Sequence, residues 1–289
     1  MIMKNLLPII TLTILIHTSC ERISTNPDQF LFKTDCGIEY NASDIELYDS
    51  STHIFYLKTN HPEFDNESGS NFSVWAYGEE VYSGVFWPMF SSSLPEGPYI
   101  SSMSFCPDFT IRIEHISIDN EPSDPRNDPK LISALEELNL LHSGLSIDIN
   151  NIDINENQLN FEFTVTNNDE SDLLILDLNK TGHDLFHYFT NGLYIRTMSH
   201  EEVFSCQIEP QIPSPWDSWS PEWLSEIKSG KSKQFTINYS INSSVPPGEY
   251  YALFEFPGLT HGLTKEQLYL NDSRIWVGDI SISKEITIQ

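Results

Sequence analysis

The run 159–166, LNFEFTVT, constrains this chain more than any other stretch. Leu159, Phe161, Phe163 and Val165 alternate with Asn160, Glu162, Thr164 and Thr166. A period of two puts every apolar residue on one face, so the run reads as a strand half-buried against a core. Turn formers from Asn167 to Asp172 follow, and then a second apolar run at 173–178. Turn residues between two apolar runs predict a hairpin, with Asp169 to Asp172 as its solvated, charged end. Such an element needs more strands to close its core, and the rest of the chain supplies them.

Residues 30–120 alternate short strand patterns with turn clusters. Ile54, Phe55, Tyr56 and Leu57 form an apolar run after a polar turn. Phe72, Val74 and Ala76 alternate with Ser73, Trp75 and Tyr77, and Gly78 turns the chain into a second strand at 81–86. Trp75, Tyr77, Tyr82, Phe86 and Trp87 make this hairpin aromatic, as sheet faces commonly are. Residues 100–106 and 109–118 read as further strands. Beyond a Pro- and Asp-rich loop, Asp128 is placed to cap a helix opened by Pro129. The apolar stripe Leu131, Ile132, Leu135 and Leu138 predicts a helix over 130–142, stopped by Gly144. Asp119, Asp124, Asn127 and Asp128 lack the spacing of an EF-hand loop, so they read as loop and cap.

In the C-terminal half, strands are expected at 146–154, around Phe235 to Tyr239, at 250–256, at 274–277 and at 280–288. The Asn-rich turn after the first long strand, the turn KSGKS at 228–232 and PPGEYYALFEF at 246–256 resemble an immunoglobulin-like or fibronectin-type-III-like sandwich. That resemblance implies that Tyr250 or Tyr251 ties a loop to the sheet. The expected fold is mainly β: two antiparallel β-sandwich domains of immunoglobulin-like kind, 30–120 and 144–289, joined by one α-helix within 121–143.

The first twenty residues, MIMKNLLPIITLTILIHTSC, carry Lys4 and then an apolar run of eleven positions. A spanning helix needs roughly 20 apolar residues, so this length suits the core of a signal peptide. The closing IHTSC resembles a bacterial lipoprotein signal, in which a small residue precedes the lipidated cysteine. Ser19 and Cys20 fit that pattern, and His17 departs from its usual aliphatic residue. The resemblance implies removal of 1–19, lipidation of Cys20 and a polar tether at 20–29. The body would then sit at an outer membrane, on its periplasmic face or at the cell surface.

Fifteen basic against 42 acidic residues give a net charge of -27. Such a polyanion repels nucleic acid, which is excluded as a partner, and anionic headgroups. In an oxidising compartment Cys36 and Cys106 are the preferred disulfide, with a Cys106–Cys206 staple as the alternative.

Two constellations bear on chemistry. His183 and His187 lie four apart, but a zinc hydrolase needs a third ligand and a base, and Asp184 breaks the H-E-x-x-H pattern. Trp216, Trp219 and Trp223 fall in one polar loop, either as a stacking surface for sugar rings or as a plug for the end of a sandwich. No nucleophile elbow, P-loop or dinucleotide fingerprint occurs, and no cofactor is implied. The expectation is a lipid-anchored envelope protein that acts without catalysis, by binding or as an interaction module. Glycan binding through the three tryptophans and metal-dependent hydrolysis through His183 and His187 are the alternatives.

Overall fold

The computed structural model describes residues 29–62, 68–88, 91–93, 95–101, 106–116, 124–155, 157–241 and 245–289. The signal segment, Cys20 and Asp119 lie outside them. The described chain is mainly β, arranged in several sheets.

Strands β1 (Phe30–Thr34), β2 (Glu39–Asn41), β5 (Asn71–Ala76), β6 (Glu79–Trp87), β7 (Gly97–Ser101) and β9 (Glu114–Ile116) form one sheet in the order β2-β1-β5-β6-β7-β9. The expected aromatic hairpin is β5–β6. Its turn places Tyr77 at φ 53° and Gly78 at φ 76°, the two left-handed positions that match the twist of paired strands. A second sheet runs β10-β3-β4-β8, from β3 (Ile45–Asp49), β4 (Ile54–Leu57), β8 (Thr110–Arg112) and β10 (Leu141–His142). Phe30, Phe32, Phe55, Phe72 and Phe86 fill the first core, closed by Leu131 and Leu135 of helix α1 (Pro129–Glu137).

The Asp128 carboxylate caps α1 as expected, accepting from Lys130 N at 2.8 Å. The helix is shorter than its apolar stripe suggests. Asn139 takes a left-handed φ of 55°, which ends the helix and releases the chain into β10, parallel to β3. Gly144 therefore serves another purpose. A Cβ there would sit 2.3 Å from Asp49 Oδ1, and its φ is +63°. Asp124 is engaged by Arg126 and Asp128 by the start of α1, so these two carboxylates serve the turn and the helix cap.

In the C-terminal half, β11 (Leu145–Asn155), β12 (Gln158–Asn167) and β17 (Ser232–Ser240) form a three-stranded sheet in that order. A four-stranded sheet runs β15-β14-β18-β21, from β14 (Leu193–Thr197), β15 (Glu202–Ser205), β18 (Gly248–Pro257) and β21 (Asp279–Ile288). The apolar faces of β12 and β18 meet in a second core, where the Phe163 and Phe254 rings lie 4.6 Å apart. Tyr250 Oη donates to Pro246 O at 2.7 Å and ties its loop to the sheet.

The hairpin expected at 159–178 does not form. β12 pairs with β11 and β17, whereas β13 (Leu173–Leu176) enters a third C-terminal sheet, β16-β13-β20-β19, with β16 (Leu224–Ile227), β19 (Tyr269–Leu270) and β20 (Ser273–Ile275). Asn167 steers the crossing, its amide donating to Ser171 O and Ile227 O at 2.9 Å each.

Every residue of β4 and of β13 is buried, which an alternating strand on an open sheet never achieves. Phe55 and Leu57 point into the first core, while Ile54 and Tyr56 point the other way. Leu173 and Ile175 join the second core, while Leu174 and Leu176 face Ile54 and Tyr56 in a third. This third core also takes Leu47, Phe109, Leu224, Ile275 and Val277, so residues from both halves share it. The halves meet through packed sheets, and α1 lies off to one side against β1 and β5.

Charges also cross the seam. Arg274 is 1% exposed, and its Nη2 donates to Asp49 at 3.0 Å and to Asp169 at 2.9 Å. Its guanidinium lies 5.2 Å from the Tyr56 ring. Asp169 also accepts from His142 Nδ1 at 2.8 Å. At 2% exposure, Asp169 is no solvated turn end. Burial pushes its carboxyl up, but the His142 hydrogen bond and the Arg274 charge win and hold it well below the usual carboxylate range. Nearby, Arg112 grips Asp279 with two bonds of 2.5 and 2.8 Å.

The Cys36–Cys106 disulfide is not formed. Cys36 sits exposed in the turn between β1 and β2, its Sγ 2.7 Å from Thr34 Oγ1. Cys106 packs instead against the third core, on a different element.

Candidate functional site

The three tryptophans part company. Trp219 and Trp223 lie partly buried against the third core, whereas Trp216 is 54% exposed. Ser220 caps a single 3-10 turn, Pro221–Trp223, and that turn holds the Trp223 ring 6.3 Å from Phe189.

Trp216 is exposed but not loose. Its carbonyl accepts from Tyr188 Oη at 2.8 Å and from His261 Nε2 at 3.2 Å. Its ring stands 5.4 Å from His261, which is stacked on Phe189 at 5.5 Å. The loop rests on Gly262, where a Cβ would lie 1.7 Å from Asp217 O and φ is +70°. Trp219 Nε1 donates to Gly262 O at 3.0 Å and closes the same contact. A side chain at 262 would push the loop away.

Beside Trp216 opens a cleft of about 480 Å³, within the range of small-molecule sites. One wall comes from the N-terminal half through Asn60, Asp108 and Phe109, and the other from Asp217, His261 and Lys265. His261 has both ring nitrogens engaged: Nε2–H donates to Trp216 O, and Nδ1 accepts from Thr260 Oγ1 at 3.2 Å. Burial lowers its pKa, so this tautomer persists as neutral imidazole. It offers neither a base nor a metal ligand. What the cleft does offer is an indole face for stacking and the carboxylates of Asp108 and Asp217 as acceptors.

His183 and His187 form no such site. They flank the end of helix α2 (Leu178–Phe186), which kinks at Gly182. His187 Nδ1 donates to His183 O at 2.7 Å, and its Nε2 accepts from Tyr239 Oη at 3.2 Å. Burial lowers the His187 pKa, and no lone pair faces outward. Among the described residues no cluster of three or more His, Cys, Asp or Glu side chains is arranged to hold a metal.

A second polar cleft, about 290 Å³, exposes His142 beside Glu136 and Glu170, with Asp169 behind it. Its histidine belongs to the seam ion network. In the N-terminal half, Tyr82 and Phe86 of the aromatic hairpin are core residues, and Lys33 covers Trp75 at 4.0 Å from its ring centre.

Sequence reasoning singles out Trp216 but not its partners. Asn60 and Asp108 lie more than a hundred residues away, in loops with no pattern of their own, and no periodicity marks His261.

No family model matches the chain, and no curated protein matches it. Among solved structures, the yjhA protein from Bacillus subtilis aligns at 15% identity over 51% of this chain and 93% of its own length, with a TM-score of 0.23. A beta-glucosidase from Kluyveromyces marxianus aligns at 12% identity over 50% of this chain and 14% of its own length, with a TM-score of 0.20. Its complex with glucose aligns likewise, with a TM-score of 0.21. Likenesses this distant carry neither a fold nor an activity across.

Proposed function

We propose that this chain is a lipid-anchored envelope protein that works by binding, without catalysis, and that its ligand is a saccharide held in the Trp216 cleft. One observation carries the reading: a tryptophan whose backbone carbonyl is held by Tyr188 and His261 and whose ring lies against His261, yet which is 54% exposed at the rim of a cleft. Sugar rings present a flat C–H face to such a surface and hydroxyls to acceptors around it, as Asp108, Asp217 and Asn60 provide. On a glycan array, Trp216→Ala is expected to lose at least about tenfold in affinity for any sugar the parent binds. Its melting temperature should stay within about 2 °C of the parent, because an exposed ring contributes little to the core. Equal sugar binding by the two proteins would remove Trp216 from the site.

The anchor rests on Ser19 and Cys20 and on the short apolar run before them. We place the body at an outer membrane, facing the periplasm or the cell exterior. Cells fed labelled fatty acid are expected to label the parent and not Cys20→Ser. Label retained in the variant would refute lipidation at Cys20.

We read the two halves as immunoglobulin-like sandwiches. The facing sheets about Phe163 and Phe254 and the Tyr250–Pro246 tie support this for the C-terminal half.

A further inference from the structure

The cleft has a charge character that a general saccharide reading leaves open. Asp108 and Asp217 are exposed on its walls, and neither side chain has a hydrogen bond or ion pair among the described residues. The cation lining the cleft, Lys265, is already held by Glu46 and lies 5.2 Å from the Phe109 ring centre. His261, with both nitrogens engaged, is neutral. The cleft therefore presents two uncompensated carboxylates beside an open indole, on a chain whose net charge is -27.

Each kind of sugar meets this surface differently. A uronate brings a third carboxylate and is repelled. A neutral pyranose stacks on Trp216 and donates its hydroxyls to the aspartates, without the ion pairing that an ammonium adds. A pyranose carrying a free ammonium gains charge-assisted hydrogen bonds to the aspartates while its ring keeps the indole. An ammonium near the indole face is attracted by the ring quadrupole as well.

We infer that the cleft selects amino sugars with free ammonium groups, Trp216 taking the ring face and Asp108 and Asp217 the ammonium. This rests on the saccharide reading and narrows it.

The test is calorimetric titration of the full chain in detergent with three tetrasaccharides: glucosamine, N-acetylglucosamine and galacturonate. The glucosamine oligomer is expected to bind at least about tenfold more tightly than the N-acetylated one, and the uronate least. That advantage should shrink as salt rises from about 20 to about 200 mM, since screening acts on exposed charges. Asp108→Asn and Asp217→Asn should each weaken the glucosamine oligomer more than the N-acetylated one and so reduce the preference several-fold. Trp216→Ala should weaken both oligomers together. Equal affinity for the glucosamine and N-acetylated oligomers overturns the inference and leaves the saccharide reading standing. An undiminished preference in the Asp108→Asn/Asp217→Asn double variant also overturns it, assigning the attraction to the overall surface charge. Binding of none of the three by folded protein sinks the saccharide reading, and the inference with it.

Discussion

Arg274→Met is expected to remove about 3–5 kcal/mol of stability, read as a lower urea midpoint with an unchanged slope. The guanidinium is the cation bonded to both Asp49 and Asp169, which are 0% and 2% exposed. Removing it strands two carboxylates in the seam, Asp49 left with Ser51 and Asp169 with His142, and an unpaired buried charge costs far more than the pair contributes. The pH dependence gives a second readout. The depressed Asp169 carboxyl contributes stability that is complete above the unfolded value of about 3.9 and is lost as pH falls below it. The parent should therefore weaken below about pH 4. Without Arg274 less opposes the effect of burial on the Asp169 carboxyl, so the variant should lose less stability than the parent as pH falls through that range. A variant that unfolds at the parental midpoint, with the parental acid limb, would show that the network contributes nothing.

Phe163→Ala is expected to cost a similar amount, about 3–5 kcal/mol. Phe163 is fully buried, with the rings of Phe161, Phe235 and Phe254 at 5.2, 5.3 and 4.6 Å. Three neighbouring rings, themselves locked by packing, cannot collapse into the space left behind, so the cavity term adds to the lost burial. Because β13 contributes to both the second and the third core, the loss should not stay in the C-terminal half. Amide exchange in β1 and β4 should accelerate by the same factor as in β12, as expected when both halves open in one global step. Acceleration confined to 144–289 would show that the seam does not couple them.

Local signals carried much of this architecture, and the rest depends on distant partners. Alternation located β12, β17, β18 and β21, and Gly78 marked the turn of the β5–β6 hairpin, because a strand's period and a turn's glycine are properties of adjacent residues. The partner of β13 was not legible. Its run of unbroken apolar residues reports burial on both faces but not which strands lie there, and a nearby turn made β12 look like the obvious mate. The same holds for Asp169, which looked like any charged turn residue because its counter-ion lies 105 positions further on. In the candidate site, Trp216 was visible as a tryptophan in a polar loop. Its exposure, against the partial burial of Trp219 and Trp223, follows from how the loop rests on Gly262.

The shared third core has a consequence for the order in which the chain is made. Residues 30–116 leave the ribosome long before β13 and β20 exist. Until then β4 can satisfy its Phe55 and Leu57 side, but Ile54 and Tyr56 have nothing to lie against, and Asp49 waits for a cation 225 residues downstream. An early half with one greasy sheet face and an unmatched carboxylate is prone to stick to its neighbours before it can settle. The nascent chain must therefore be shielded until its last fifth emerges, and a fragment ending at the connector should aggregate where the whole chain stays in solution.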